Sequence, residues 1–348
     1  MDGVWIDRRN LLAGAVAALS GISGRPVQAQ AKPEKARVVL ATGSRASLNC
    51  LPLTIADRLG YFGAEGLEVE LHDFGGAARA QQAVLDGVGD VVAGAFDQTI
   101  GLEARNLHHR AFVLLGRTPQ VAFGVSTRAL PGYKTLSDLK GRRIGVAMAG
   151  SSSVLVARLV LLRGGLRAQD VQFVELQSPA AAVAAVRSGQ VDAISHSEPA
   201  MTMLEHKADV RIVADTRSLR GAQDLFGGQV AGPCLYAPTD YLQKHPRTVQ
   251  AITNAVVHAL KWLQTAGPSD IIKVVPEAYL LGDRGLYLAS FNKVREAIAV
   301  DGVIPEDGAR TALRAMVRLD AAMAGDRIDL AKTFTNEFSR RAKDKFRA

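Results

Sequence analysis

Helical and strand-like patterns of apolar residues alternate along the chain, and one group of them occurs twice. The stretch AVLDGVGDVVAG (residues 83–94) is similar to AVRSGQVDAISH (residues 185–196). In both, an alanine- and valine-rich helical pattern leads into G-x-x-D and then into a short apolar run typical of a buried strand. Gly87 and Gly189 are 102 residues apart, and so are Asp90 and Asp192. The pattern therefore predicts two similar structural units.

Each of these stretches follows further strand patterns. RVVLATG (residues 37–43) and RRIGVAMAG (residues 142–150) are apolar runs that end in glycine-containing loops, and a glycine turn precedes a second strand pattern at residues 66–74 and at residues 165–176. Strands that alternate with helices of ~10–15 residues are typical of βαβ units and mostly parallel sheets. We therefore expect an α/β fold with two lobes, each lobe a βα-repeat sheet flanked by helices.

Two stretches are suited to cross between the lobes, AFVLLGRTPQVAFGVST (residues 111–127) and QVAGPCLYAPTD (residues 229–240). Beyond Arg247, apolar residues recur every three or four positions, as in an amphipathic helix, at Val249, Ile252, Val256, Leu260 and Leu263. The predicted division is residues 32–120 for the first part of lobe I, 121–236 for lobe II, and 237–348 for a helical return to lobe I. Two separate domains in a row are the alternative, but no Pro-, Gly- or Ser-rich linker separates the repeats.

The N-terminal residues 1–31 carry the features of an export signal. Arg8 and Arg9 precede the apolar run at residues 11–23, and Ala29-Gln30-Ala31 matches an A-x-A cleavage site. The apolar run is shorter than the ~20 residues of a membrane-spanning helix. The paired arginines resemble a twin-arginine signal, and an ordinary Sec signal is the alternative. Either signal predicts a periplasmic protein.

Charge and cysteine content narrow the function classes. The 348 residues have a net charge of +8, but the basic residues are dispersed and aromatic residues make up only 5%. This distribution argues against nucleic-acid binding. Cys50 and Cys234 are too few for a disulfide framework. Whether they pair is left open, although buried free thiols fit the sequence better.

The residues at 145–154, GVAMAGSSSV, have the G-x-x-x-x-G spacing of a phosphate-binding loop, but Ser151 stands where that loop needs lysine. What remains is a helix N-terminus with free N–H groups and three hydroxyls, from Ser151, Ser152 and Ser153, which suits one anionic group. A plain N-cap is the alternative for Ser151, but capping explains only one of three serines. We therefore expect this loop to bind an anion or another polar ligand.

In open α/β sheets, ligands bind beyond the carboxyl ends of the strands. This rule selects six loops, at residues 44–49, 75–76, 96–97, 150–153, 178 and 196–198. Arg117, beside the first crossing, is a candidate bidentate donor to an anion, and a hinge contact or inter-lobe salt bridge is its alternative. Glu198 is a candidate acceptor for a ligand N–H group, and a helix-start residue is its alternative.

Known catalytic and metal motifs do not fit. His196-Ser197-Glu198 has the H-x-E pattern of zinc deaminases, and Pro233-Cys234 follows, but the second cysteine position is Ala237. One ligand is therefore missing. No G-x-S-x-G or H-E-x-x-H motif is present either. We expect no catalysis, no metal and no cofactor, and an exported enzyme that uses the same cleft is the alternative.

Four stretches in this order resemble the periplasmic substrate-binding proteins of ABC importers for nitrate, sulfonate, taurine and thiamine-pyrimidine compounds. They are LPLTIADRLGYFGAEGLEVELHDFGG (residues 51–76), LKGRRIGVAMAGSSS (139–153), VAAVRSGQVDAISHSEPA (183–200) and ALKWLQTA (259–266). The resemblance implies a type II periplasmic binding protein (Venus flytrap), a monomer that closes by hinge motion on a small-molecule ligand. It also implies a membrane permease as the partner.

The resemblance also implies which residues contact the ligand: Ser47, Asn49, Gly76, Phe96, Asp97, Ser151, Ser152, Ser153 and Glu198. Among these, Phe96 and Glu198 would make the cleft aromatic and partly acidic. That composition favours an organic ligand with an anionic group and a hydrogen-bond donor over bare nitrate. We therefore expect a sulfonate-, carboxylate- or pyrimidine-type ligand.

Overall fold

Two five-stranded sheets form the framework of the chain. The computed structural model describes residues 32–323 and 328–348, so the predicted export signal at residues 1–31 lies outside the described residues. The strands are β1 Arg37–Thr42, β2 Glu68–Asp73, β3 Val91–Ala95, β4 His109–Leu114, β5 Val121–Ser126, β6 Arg143–Val146, β7 Gln172–Glu175, β8 Ala193–Ser197, β9 Val210–Asp215 and β10 Pro233–Pro238. Their order is β2-β1-β3-β10-β4 in the first sheet and β7-β6-β8-β5-β9 in the second.

Helices cover both sheets. They are α1 Leu51–Arg58, α2 Tyr61–Ala64, α3 Ala77–Leu85, α4 Phe96–Glu103, α5 Ser152–Arg163, α6 Pro179–Ser188, α7 Ala200–His206, α8 Leu219–Phe226, α9 Thr239–Lys244, α10 Pro246–Thr265, α11 Pro268–Val274, α12 Arg284–Val294, α13 Glu306–Leu319 and α14 Glu337–Phe346. A short 3₁₀ turn, Leu48–Cys50, precedes α1. The predicted α/β fold with two βα-repeat sheets is therefore confirmed. Within the described ranges 32–323 and 328–348, no helix has the length and hydropathy needed to cross a bilayer.

The sheets are mixed rather than mostly parallel as expected. Strand β1 pairs in parallel with β2 and β3, and β6 pairs in parallel with β7 and β8. Strand β10 is antiparallel to its neighbours in the first sheet, and β5 is antiparallel to its neighbours in the second. The reason is that β5 and β10 each follow a strand of the other sheet, so neither is joined to its sheet by the βαβ crossover that makes neighbouring strands parallel.

The predicted repeat has the same structural role in both halves. Gly87 and Gly189 adopt left-handed φ values of 75° and 77°, which lets the chain turn sharply after α3 and α6. The backbone N–H of Asp90 donates to Val39 O, and that of Asp192 donates to Arg143 O. Each aspartate carboxylate then accepts from the N–H of that same residue, at 3.0 and 2.8 Å. The G-x-x-D sequence thus sets the start of the third strand of each unit.

The chain crosses between the sheets at residues 115–120 and 227–232. The two crossings lie side by side, since Gly232 N donates to Gly116 O at 3.1 Å, and a Cβ on Gly232 would collide with Thr118 O. The second crossing ends before β10, which lies entirely in the first sheet. The predicted boundary at residue 236 therefore cuts through a strand, because the apolar run at 229–240 does not mark where pairing begins.

The long helix α10 follows the predicted stripe, and all five of its apolar positions are buried: Val249, Ile252, Val256, Leu260 and Leu263. It packs against α1, α2 and α14. Other helices of the return segment also reach the second half, because α12 packs against α7, and α13 packs against α5 and α8. The return is therefore not confined to lobe I. Cys50 and Cys234 are buried and free, so they form no disulfide.

Candidate functional site

A cavity of about 130 Å³ lies where the carboxyl ends of the strands of both sheets meet. Six of the ten candidate residues line it: Ser47, Asn49, Gly76, Ser151, Ser152 and Ser153. The first three come from loops of the first half and the serine triplet from the second. The structure therefore brings together loops that are about 100 residues apart in the sequence, as the strand-end rule predicts.

Several helices begin at this cavity. Gly76 is the N-cap of α3, Ala95 of α4 and Ser151 of α5, and Pro179 is the first residue of α6. All four residues line the cavity. The N–H groups of a first helical turn have no partner inside the helix and carry the positive end of its dipole. The cavity is therefore electropositive although its lining, among the described residues, contains no Lys or Arg.

The three serines have different roles. Ser151 Oγ donates to Met148 O at 2.6 Å, and it lies 2.7 Å from Ser153 Oγ. Ser153 Oγ also accepts from Ala147 N at 2.9 Å. These bonds hold the loop in place. Ser152 lines the cavity, and its hydroxyl makes no hydrogen bond within the described part of the protein, so it is the hydroxyl free for a ligand.

Two of the first-half candidates lie outside the lining. Phe96 is fully buried, and its ring packs edge-on against Phe334 with 6.0 Å between the ring centroids. Asp97 lies in the first turn of α4. Burial raises the pKa of Asp97 to about 6, although a hydrogen bond from its own backbone N–H lowers it. Neither side chain lines the cavity, whereas Ala95, the last residue of β3, does.

Arg117 is also outside the lining. Its backbone N–H donates to Ala297 O at 2.6 Å, and its guanidinium donates to Glu296 O. It thus ties the first crossing to the segment that follows α12.

Glu198 is buried in a charge cluster rather than exposed to a ligand. Its carboxylate lies 2.6 Å from Arg217 Nη1 and accepts hydrogen bonds from the N–H and hydroxyl of Thr202, in the first turn of α7. Arg217 also pairs with Asp215 and Glu205. Burial lowers the pKa of Arg217, but the bonds and charges of Asp215 and Glu198 outweigh burial and hold it above its ordinary value. Glu198 therefore makes a buried ion pair at the start of α7 and does not line the cavity.

The cavity also contains residues that the sequence analysis did not propose as ligand contacts. Met148, Gln177, His196 and Ser197 line it from the second half, and Cys50 from the first. His196 and Ser197 lie in the selected loop at 196–198, and Met148 lies just before the selected loop at 150–153. The strand-end rule could therefore have indicated these three residues from the sequence. Gln177 precedes α6, one position before the selected Ser178.

Burial shifts the pKa values of His196 and Cys50 in opposite directions. The ring nitrogens of His196 lie 3.1 and 3.3 Å from the backbone oxygens of Leu176 and Ser197, and burial outweighs these contacts and lowers its pKa. Burial raises the pKa of the Cys50 thiol to about 11, although Thr42 Oγ1 at 3.2 Å opposes this. In the described part of the chain, no cluster of three or more metal-ligating side chains is present. The side-chain oxygen of Asn49 is buried there without a hydrogen-bond partner.

Comparison with known proteins places the chain in a family. The model of the family described as NMT1/THI5 like matches residues 47–268, which is more than half of the chain. The chain belongs to the NMT1/THI5-like family. A solved structure from Bordetella bronchiseptica RB50 is 48% identical to this NMT1/THI5-like protein, with a TM-score of 0.87, and the match covers 91% of this chain and 100% of that one.

Two further relatives of this NMT1/THI5-like protein are more distant. The alkanesulfonate-binding protein SsuA from Xanthomonas axonopodis pv. citri, solved bound to MOPS, is 18% identical with a TM-score of 0.67 over 87% of this chain and 99% of SsuA. This likeness shows that the fold is that of the periplasmic binding proteins, as predicted. A Brucella abortus protein named as a binding protein is 28% identical over 44% of this chain and 46% of its own length. The match thus spans about half the length of that curated relative.

Proposed function

We propose that this protein is the solute-binding component of an ABC importer. It captures a small organic anion of the sulfonate, carboxylate or pyrimidine type in the cavity and delivers it to a membrane permease. The observation that carries the proposal is the convergence of helix N-termini and hydroxyls from both halves on one cavity whose described lining contains no Asp, Glu, Lys or Arg. Such a site replaces the hydration of an anion with N–H and O–H donors.

The lining supports an organic ligand rather than a bare inorganic ion. The cavity lining has an apolar part next to the two crossings, formed by Leu115, Val121 and Pro233. A hydrocarbon part of the ligand gains free energy by contact with such a surface. Asn49 Oδ1, which has no partner among the described residues, would accept a hydrogen bond from a donor on the ligand. Phe96 and Glu198, which were expected to favour an organic ligand, do not line the cavity.

The same lining supports binding without turnover. A general base must be able to take up a proton, and a cysteine nucleophile must be a thiolate. Burial lowers the pKa of the His196 imidazole, although two backbone oxygens contact its nitrogens, and burial raises the pKa of the Cys50 thiol to about 11. Burial therefore opposes both roles among the described lining residues.

The names of the relatives support a role in ligand binding. SsuA is named for alkanesulfonate binding and was solved with MOPS, which carries a sulfonate. The Brucella relative is named as a binding protein. By this proposal the protein is exported through its N-terminal signal of the twin-arginine type, acts in the periplasm as a monomer, and binds a permease when closed on its ligand.

Thermal unfolding of the purified protein against alkanesulfonates, carboxylates, pyrimidines and nitrate tests the proposal. A ligand at a hundred times its dissociation constant stabilises the folded state by ~2.7 kcal/mol, and we expect an organic anion to raise Tm by several degrees. Mass spectrometry should recover it unaltered. A chemically changed compound would support the enzyme alternative, and stabilisation by nitrate alone would contradict the organic ligand.

The double variant Ser151→Ala, Ser152→Ala tests the contact itself. We expect it to weaken ligand binding by ~1–3 kcal/mol, because it removes one free hydroxyl and loosens the loop that presents the helix N-terminus. Ser188→Ala, at the exposed end of α6 where the hydroxyl donates to Ala185 O, is the matched control and should bind as the wild type does. Unchanged affinity in the double variant would exclude the serine loop as the anion site.

A further inference from the structure

One contact closes the cavity between the two halves. Met148, in the loop after β6, lies against Gly76, the N-cap of α3, and both residues line the cavity. A Cβ on Gly76 would collide with Met148 Sδ and Cε. The thioether therefore occupies space that is available only because residue 76 is glycine. Met148 is 5% exposed, so its side chain is enclosed by this contact.

The backbone around Met148 is held on both sides. Met148 O accepts from Ser151 Oγ, and Ala149 N donates to Glu175 Oε1 at 2.9 Å. Across the cleft, Gln98 Nε2 lies 3.4 Å from Gly150 O, and Gln98 is itself bonded to Ala95 N. The loop is thus anchored to both halves. The Met148 side chain, by contrast, is held by packing alone in the described part of the chain.

The other parts of the cavity lining have little room to move and so cannot change the size of the cavity. Gly43 packs so closely on α3 that a Cβ there would lie 2.6 Å from Ala77 N, so this wall is backbone. The His196 ring contacts two backbone oxygens, and Ser47 Oγ lies 3.4 Å from Ser197 Oγ. Methionine has an unbranched side chain that adapts to irregular spaces. Met148 is therefore the longest apolar side chain of the described lining and the one best able to change the cavity's size.

We propose that Met148, packed against Gly76, is the specificity-determining residue that limits the ligand to a compact organic anion. This inference rests on the proposed function and names the substrate class more closely. The anionic group lies at the helix N-termini, and the length of the hydrocarbon part is limited by the thioether. Shortening residue 148 lengthens the hydrocarbon that the closed cavity accepts.

The test is a chain-length series measured by titration calorimetry on the full-length protein. The probes are the alkanesulfonates from methanesulfonate to octanesulfonate and the carboxylates of matching length. For the wild type, we expect affinity to rise by about fourfold for each buried methylene and then to fall at least tenfold beyond a limiting length. Met148→Ala should move that limit by at least two methylenes in the same series.

Two further variants separate cavity size from folding. Met148→Leu keeps an apolar side chain of similar volume and should keep the wild-type limit. Met201→Ala removes a methionine that is fully buried in α7 but does not line the cavity, and it should also keep the limit. If the wild type binds short anions and Met148→Ala accepts no longer hydrocarbon than the wild type, the inference about Met148 is overturned and the proposed function stands. If the wild type binds no member of either series, the inference is overturned, and the proposed function is contradicted as well if no pyrimidine-type anion binds either.

Discussion

Strands β3 and β8 occupy the same position in the two sheets, but the residues that follow them differ in chemistry. Ala95 and Ser197 end the strands and line the cavity, and the next residues, Phe96 and Glu198, are buried behind it. Phe96 packs against another aromatic ring, whereas Glu198 pairs with Arg217. The repeat therefore preserves the direction of the side chains, and each half fills the space behind its third strand differently.

The largest effect on stability should come from breaking the ion pair between Glu198 and Arg217. Arg217 is 1% exposed and provides the positive charge next to the buried Glu198 carboxylate. Arg217→Met leaves that carboxylate uncompensated, and we expect the free energy of unfolding to fall by ~3–5 kcal/mol. Urea denaturation followed by circular dichroism measures it.

A second substitution identifies the cause. In the double variant Arg217→Met, Glu198→Gln, the neutral amide needs no counter-charge, so part of the lost stability should return. Arg187→Met breaks a half-exposed ion pair with Asp209 in the same half and should have a much smaller effect. A loss below ~1 kcal/mol for Arg217→Met would show that the cluster is not needed to bury Glu198.

A smaller, pH-dependent effect should come from Asp192, the second of the two repeated aspartates. Burial raises the pKa of Asp192, but the hydrogen bonds and charge of Arg143 outweigh burial and hold the pKa below its ordinary value of 3.8. The ionised carboxylate therefore stabilises the fold above about pH 4, and this contribution is lost as the pH falls through the lowered pKa. We expect Asp192→Asn to lower Tm by ~2–4 °C at pH 7, with a difference that shrinks between pH 4 and pH 2.

Calorimetric scans at several pH values check this prediction. Asp90→Asn is the matched variant in the first half, where Lys35 rather than Arg143 pairs with the aspartate. A Tm difference for Asp192→Asn that stays constant down to pH 2 would mean that the charge on Asp192 does not contribute to stability.

The smallest effect on binding should come from Phe96→Leu. Because Phe96 lies behind the cavity, we expect less than a twofold change in affinity for the best anion found, despite a loss of stability of ~1 kcal/mol. Ser197→Ala alters the cavity-facing residue at the position equivalent to Ala95, and it should weaken binding about fivefold. Isothermal titration measures both. If Phe96→Leu weakens binding more than Ser197→Ala does, the proposed anion cavity is misplaced.

Most of the fold could be predicted because its signals are local. The helical stripe of α10 and the G-x-x-D turns at Gly87 and Gly189 depend on neighbouring residues, and the repeat made the second unit easier to recognise. The antiparallel placement of β5 and β10 could not be predicted, because strand pairing depends on how the chain returns from the other half. For the same reason, the boundary at residue 236 fell inside β10.

The site was predictable at the level of loops but not of side chains. The strand-end rule selected loops that line the cavity, including the one with Ser151–Ser153. It could not show that Phe96 and Glu198 face away, since that depends on where each strand ends and the next helix begins. The partner of Glu198, Arg217, is 19 residues further along and follows a different strand, so no local pattern connects the two.

By itself, the sequence determined the two α/β units, their order, and the glycines and serines at their strand ends, because these follow from periodicity and turn chemistry over a few residues. Only the tertiary structure decided which side chains face the cavity. It alone placed Met148 against Gly76 and Glu198 against Arg217, because these contacts form only when distant segments pack together and exclude water.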